Sequence, residues 1–478
     1  MSGGLSPLSF PKNARAALAN PPLLKAIAHI EETLVNGRRR ATEALPEFDA
    51  LRDAGRDIKA HTLKHLDLYL EAFERKVLEA GGVVHWAADA ADANRIILGI
   101  CQEVGARRVT KGKSMITEEV GLNAFLQANG ITPVETDLGE YIIQLRGETP
   151  SHIIAPAVHV NKEQVAADFR RVHADLDPKR NLDEPTSLLA EARGVLRERF
   201  LSADVGITGA NFLVAETGST VIVTNEGNGD LTQILPKTHI VLASIEKVVP
   251  TLEDVATIMR LLARSATGQE MSVYTTFSTG PRRAGDLDGP EAFHVVLLDN
   301  GRSAMLGSEF EDMLRCIRCG ACINHCPVYR SIGGHAYGSV YPGPMGSVLT
   351  PSLQGLDASA HLANASTLCG RCESVCPMRI PLPKMLRHWR EKEFERHLTP
   401  RKARFGLAVW RFLATRPSLY GLVTALPPGG WRALPDGMVR SARCRWPEAG
   451  RAGATCRHRR AAPSEPNGPS GGERDVKP

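Results

Sequence analysis

Residues 316–330 read CIRCGACINHCPVYR, four cysteines at spacings of three, three and four with a proline directly after the last. Three thiolates at i, i+3 and i+6 on a tight turn can each reach a different iron of one cubic iron–sulfur cluster, and soft sulfur ligands suit such centres. The fourth cysteine lies beyond that loop, where the proline turns the chain away. In two-cluster ferredoxins the last cysteine of such a run serves the other cluster. Cys326 therefore predicts a second run downstream, which must return one cysteine to Cys316, Cys319 and Cys322.

That run is STLCGRCESVCPMRIP, residues 366–381. Aligned on Pro377, Cys376 takes the last position, Cys372 the third and Cys369 the second, and the first falls on Ser366. The expected ligands of one [4Fe–4S] cluster are Cys316, Cys319, Cys322 and Cys376. Cys326, Cys369 and Cys372 are expected to hold a second [4Fe–4S] cluster with one iron lacking a cysteine. Ser366, a water or a substrate atom can take that corner, or the cluster settles as [3Fe–4S]. An alkoxide is a harder donor than a thiolate, so the second cluster is expected to lose iron first under mild oxidation. His325, adjacent to Cys326, reads as a hydrogen-bonding neighbour in preference to a ligand. Structural zinc fits poorly, because zinc sites pair CxxC units with no following CP.

Seven of the ten cysteines lie within residues 316–376, and such crowding in a chain of 478 residues indicates metal binding and not a disulfide framework. The length suggests two or three domains. The N-terminus lacks an apolar run long enough for a secretory signal, and no stretch of about 18 apolar residues could span a bilayer; a cytoplasmic location is expected. The net charge of +5 resides in residues 440–478, which carry nine Lys/Arg against four Asp/Glu. This Gly-, Pro-, Ser- and Arg-rich tail reads as solvated and disordered, with no nucleic-acid partner implied. Its Cys444 and Cys456 have no ligand spacing.

Ahead of the cysteine runs the pattern is one of βαβ units. HTLKHLDLYLEAFERKVLEAGG (61–82) has helical spacing, VVHWA follows as a strand, and DAADANRIILGICQEVG reads as a helix from Asp to Gly. ARRVTKG is a strand, TEEVGLNAFLQANG one further helix, and ITPVETD follows it. FLVAETGSTVIVTN reads as a pair of strands, HIVLASIEKVV as another, EDVATIMRLLARSA as a helix and FHVVLLDNG as the last strand. This alternation predicts an α/β domain built on a mainly parallel sheet. After the cysteine runs LPKMLRHWREKEFERHL is helical, and FGLAVWRFLATRPSLYGLVTAL is a basic amphipathic stretch interrupted at Pro417, suited to docking on protein more than on a membrane.

Two loops invite a functional reading. TNEGNGD (224–230) follows a strand and presents Glu226, a weak catalytic candidate beside the plainer reading of a turn. KGKS (111–114) is no P-loop, because Arg107 stands where the motif needs glycine; Lys111 and Lys113 remain candidates to hold a carboxylate. No GxGxxG follows a strand, which argues against a resident dinucleotide.

Over about 380 residues the chain resembles the LutB-type lactate-utilisation iron–sulfur proteins. The likeness is carried by the cysteine runs and by KGKSMITEEVGLN, ETGSTVIVTNEGNGDLTQILPKTHIVLASIEKVVPTLEDV, STGPRRAGDLDGPEAFHVVLLDNGRS and YGSVYPGPMG. The resemblance implies an isomerase/CoA-transferase-like LUD α/β domain fused to an α-helical ferredoxin-type two-cluster module. On that basis the expected organisation is an N-terminal helical segment at 1–60, the LUD domain at 61–301, the cluster domain at 302–395, a helical segment at 396–440 and the tail at 441–478. It also implies an electron-transfer subunit that works with two other lactate-utilisation proteins to oxidise L-lactate to pyruvate. The competing expectation is a transferase or isomerase whose clusters are structural.

Overall fold

The computed structural model describes residues 6–424, so the tail and its two cysteines lie outside the described residues. The strands are β1 (Val83–Ala87), β2 (Arg108–Gly112), β3 (Thr132–Glu135), β4 (Val205–Thr208), β5 (Phe212–Val214), β6 (Ser219–Thr224), β7 (Thr238–Ser244), β8 (Val248–Val249), β9 (Tyr274–Ser278) and β10 (Ala292–Leu298). Six of them form an all-parallel sheet in the order β1-β10-β7-β4-β2-β3. Every residue of central β7 is buried, as expected of a parallel strand covered on both faces.

The helix Ala90–Glu103 starts at Asp89, whose carboxylate accepts from the Asp92 N–H at 2.9 Å. It packs Ala93, Ile97 and Ile100 on one face of the sheet against Val109, Ile207 and Val296. The opposite face takes Leu70, Phe73 and Val77 of the helix Leu66–Glu79 against Val241, Val295 and Leu297. Each such buried side chain contributes roughly 1.5–3 kcal/mol of transfer free energy.

Three details depart from the sequence reading. The helix expected over 61–82 is two helices, Phe48–Lys64 and Leu66–Glu79, which meet at a non-helical His65. The first packs on the helix Leu252–Ala266 and the second on β1 and β8, so the chain must bend between those two surfaces. The helix expected over 117–130 is likewise split into Met115–Glu119 and Leu122–Ala128, because Gly121 turns left-handed at φ +65°. The strand pair β5 and β6 is present but leaves the parallel sheet. It forms a separate sheet, β8-β5-β6-β9, since a hairpin turn is too short for the crossover a parallel partner requires.

That second sheet belongs to the largest core. Phe212, Val214, Val221 and Val249 join Ile258 and Leu261 of the helix Leu252–Ala266. The same cluster continues through Tyr329, Leu362, Met378, Leu386 and Trp389 of the cysteine-rich region, and through Ala17, Ile27, Ile30, Phe48 and Leu63 of the N-terminal helices. Residues 6–64 thus pack against both the cysteine-rich region and the helix Leu252–Ala266.

Chain contacts divide the protein after Thr399. Among its described residues the unit from Pro400 has two helices, Arg401–Ala414 and Pro417–Thr424, with the expected break at Pro417 and no buried side chain. No helix among the described residues is long and apolar enough to cross a membrane.

Candidate metal centre

The two cysteine runs use one backbone twice. In the first, Arg318 (φ +59°) and Gly320 (φ +74°) bracket Cys319 before the short helix Ala321–Asn324. In the second, Leu368 (φ +54°) and Gly370 (φ +80°) bracket Cys369 before Arg371–Ser374. Left-handed arginine and leucine cost of order 1 kcal/mol or more each and persist only where their surroundings enforce them. The Arg318 N–H donates to Cys316 Sγ at 3.4 Å, and the Leu368 N–H donates to Ser366 Oγ at 3.1 Å. The Ser366 hydroxyl therefore occupies in the second run the place that the Cys316 thiol occupies in the first.

Cys316, Cys319, Cys322 and Cys376 line one small cavity whose other walls, among them Ile153, Met313, Met345 and Met378, are apolar. Four sulfurs without carboxylate or imidazole form a donor set suited to an iron–sulfur cluster. Burial pushes the Cys319 thiol up to about 12, Cys376 to about 11 and Cys322 well above the ordinary range. Such thiols stay protonated at neutral pH unless a bound cation deprotonates them. Cys326, Cys369 and Cys372 form the other group, close enough for their charges to affect one another's ionisation. The buried Tyr337 hydroxyl sits beside Cys326. His325 is tied to the backbone, its Nδ1 2.9 Å from the Ala321 carbonyl.

Buried arginines fix the second run to the N-terminal helices. Arg52 Nε and Nη2 donate to the Cys376 carbonyl at 3.0 and 2.7 Å, and Nη2 also reaches the Ser374 carbonyl at 2.9 Å. Arg38 donates to the Val375 carbonyl at 2.8 Å. The first run is held from the α/β side, where Arg318 pairs with Glu246 at 3.2 Å and lies over the Tyr341 ring at 4.8 Å.

Comparisons with known proteins give two family matches. Residues 70–298 match the LUD domain family and residues 312–380 the 4Fe-4S dicluster domain family. The chain is 44% identical over 422 residues to lactate utilization protein B of Geobacillus sp. (strain WCH70), covering 88% of both chains. It is 44% identical over 425 residues to the protein of that name from Shouchella clausii, covering 89% of both. The chain belongs to the lactate utilization protein B family. It is also 43% identical over 433 residues, 90% of each chain, to the uncharacterized electron transport protein YkgF of Escherichia coli. A crystal structure of a DUF162 family protein from Deinococcus radiodurans aligns over 49% of this chain and 98% of that one, at 17% identity and a TM-score of 0.26.

This member of the lactate utilization protein B family is thus an iron–sulfur protein, and its LUD half meets the cluster half through buried charge. Glu119 accepts from Arg302 at 2.9 and 2.8 Å and from the Tyr341 hydroxyl at 2.7 Å. Arg302 also pairs with Glu246 at 3.0 Å, and Glu246 with Arg318. Burial alone would raise the Glu246 carboxyl, but Arg302 and Arg318 outweigh it and hold it down at about 2.

Beyond this network lies a cavity of about 1400 Å³, bounded by the segments that follow β2, β3, β4 and β7 and by Arg318 and Tyr341 of the cluster half. The carboxyl ends of parallel strands are where open α/β sheets bind ligands. The sequence-derived candidates here are already engaged. Lys111 is buried between Glu118 (2.8 Å) and Glu135 (2.7 Å). Lys113 pairs with Asp137 and, at 2.8 Å, with Glu226, whose side chain is 61% exposed. Sequence reasoning missed Lys247, which also lines the cavity and is pushed down to about 8 by burial and by Arg318. A signal was available, because IEK interrupts the apolar run HIVLASIEKVV.

Glu148, His159 and His335 also bring ligand atoms within 4.8 Å of one another. Each is committed: His159 bridges Glu148 and Ser151, both at 2.7 Å, and His335 meets the Thr149 carbonyl at 2.7 Å.

Proposed function

We propose that this chain is the electron-transfer subunit of a cytoplasmic complex that oxidises L-lactate to pyruvate together with two other lactate-utilisation proteins. It holds two [4Fe–4S] clusters, one on Cys316, Cys319, Cys322 and Cys376, the other on Cys326, Cys369 and Cys372 with Ser366, a water or a substrate atom at the remaining iron. The observation that carries this reading is the single apolar cavity in which three thiols of the first run meet the last thiol of the second. When bound, such clusters supply one-electron transfer.

The protein's own groups prepare the site for that role. The Arg318 and Ile380 N–H groups point at Cys316 and Cys376 sulfurs, at 3.4 and 3.5 Å, and favour added negative charge there. Met313, Met345 and Met378 keep water away from the same sulfurs. Two centres in tandem exceed what bracing a fold requires, whereas they suit passage of single electrons.

Reconstitution tests the reading. The visible absorbance of the clusters should bleach on addition of L-lactate when both partner proteins are present, and stay unchanged when either is omitted. Lactate turnover by this chain alone, unaffected by removal of its iron, would refute it.

A further inference from the structure

The cavity above the parallel sheet contains polar groups for which the protein supplies no partner. Lys247 lines it, and among the described residues its ammonium has no hydrogen-bond or ion-pair partner. Arg318 Nη1, Ser114 Oγ and Asn228 Oδ1 belong to residues lining the same cavity, and each is buried without a hydrogen-bond partner. Ser114 is only 3% exposed. Buried donors are almost always satisfied, and leaving one unmade costs of order 1–3 kcal/mol.

The charges have a matching surplus. Glu119 and Glu246 are balanced by Arg302 and Arg318, which they contact directly. Lys59, buried nearby, is satisfied by the Glu246 and Val248 carbonyls. Lys247 follows Glu246 in sequence and feels its charge, but no carboxylate among the described residues lies within ion-pair distance of its ammonium. Lys59 and Lys247 leave the set with two positive charges in excess, and a negative charge beside Lys247 and Arg318 would offset one of them.

From these groups we infer that the charged end of the cavity, at Lys247 and Arg318, binds the carboxylate of a small 2-hydroxy or 2-oxo acid, with Ser114 a further unpartnered donor on the cavity wall. The assignment rests on the proposed role in lactate oxidation for the choice of acid, and on the unpaired groups for the location. Arg318 offers a planar donor fork of the kind that grips carboxylates. Its backbone N–H already donates to Cys316 Sγ, so the residue gripping the acid would also touch a sulfur of the first run, two positions away. The cavity is far larger than a three-carbon acid, and the inference concerns its charged end alone.

Pyruvate and L-lactate are the probes, with inorganic phosphate as the competing anion, titrated by calorimetry into the iron-loaded chain. Saturable binding of pyruvate or lactate is expected, without competition from equimolar phosphate. Lys247→Met should weaken it about tenfold or more with iron content retained, and Ser114→Ala, which removes only an unpartnered hydroxyl, should weaken it by a smaller factor. Absence of binding, equal binding of phosphate, or unchanged affinity in both variants would overturn the site. Lactate-dependent bleaching in the reconstituted complex is read separately. If bleaching occurs and its lactate KM is the same in Lys247→Met, the site is wrong while the electron-transfer role stands.

Discussion

The first cysteine run is CIRCGACINHCP and the second STLCGRCESVCP, and they differ less in backbone than in surroundings. Both pass through two left-handed residues around their second ligand position, and both direct a backbone N–H at the side chain of the first. In the first run that side chain is a thiol, and the next two cysteines are buried. In the second it is a hydroxyl, and Cys369 is exposed. The local fold therefore does not require a cysteine at its first position, since serine accepts the same hydrogen bond. Any difference in how firmly the two runs hold iron must come from the ligand atom and its access to water.

The largest test removes the thiol that crosses between the runs. Cys376→Ser should lower iron content from about eight to about four per chain and abolish the signal of the cluster assigned to the first run. Loss confined to the other signal would show that each run keeps its own fourth cysteine. Next comes access. In the iron-free protein Cys369 should alkylate at least about tenfold faster than Cys319 or Cys322, measured by peptide mapping. The Arg371 N–H and the Thr367 hydroxyl hold Cys369 below the usual thiol range, whereas burial raises the other two. A lower pKa means more thiolate at a given pH, so the preference for Cys369 should hold through neutral pH and shrink once alkali ionises the buried thiols as well.

A subtler change makes the runs alike. Ser366→Cys should suppress the [3Fe–4S] paramagnetic signal after mild oxidation and slow iron loss several-fold, while Ser366→Ala should leave both near the parent values if water occupies that corner. No [3Fe–4S] signal in the parent, with all iron retained, would mean that another side chain completes the second set. The smallest effect is expected from deletion after residue 440. Iron content should not change, because Cys444 and Cys456 stand at no ligand spacing; a lost cluster would extend the ligand set beyond the two runs.

Much of this was legible in the sequence because it is local. Spacing brings out the runs, the missing first cysteine at Ser366 and most strands of the parallel sheet. What escaped depends on distant partners. Nothing near Glu119 indicates that Arg302 and Tyr341 will surround it, and no pattern in 244–248 states that Glu246 will be neutralised while Lys247 is not. Periodicity also continues across His65 and Gly121, where tertiary packing bends the chain and apolar spacing carries no record of it. Glu226 was conspicuous for its glycine-rich loop, yet in the fold it is a half-exposed partner of Lys113.

The attachment of Arg38 and Arg52 to the second run has a consequence for biosynthesis. Arg52 and its acceptor Cys376 are 324 residues apart, and Arg38 and Val375 are 337 apart. At about 5–20 residues per second, a ribosome needs roughly 15–65 s after making Arg52 before the carbonyl it binds exists. Through that interval Phe48–Lys64 can already meet Leu252–Ala266, but the helices Phe10–Leu18 and Pro21–Ile30 wait for the cysteine-rich segments they pack on. The α/β domain can fold as it emerges, but the opening segment must wait for almost the last of the folded chain. A nascent polypeptide of this design is therefore a natural client for chaperones, and any product truncated before residue 375 leaves the buried Arg38 and Arg52 guanidiniums without their carbonyl acceptors.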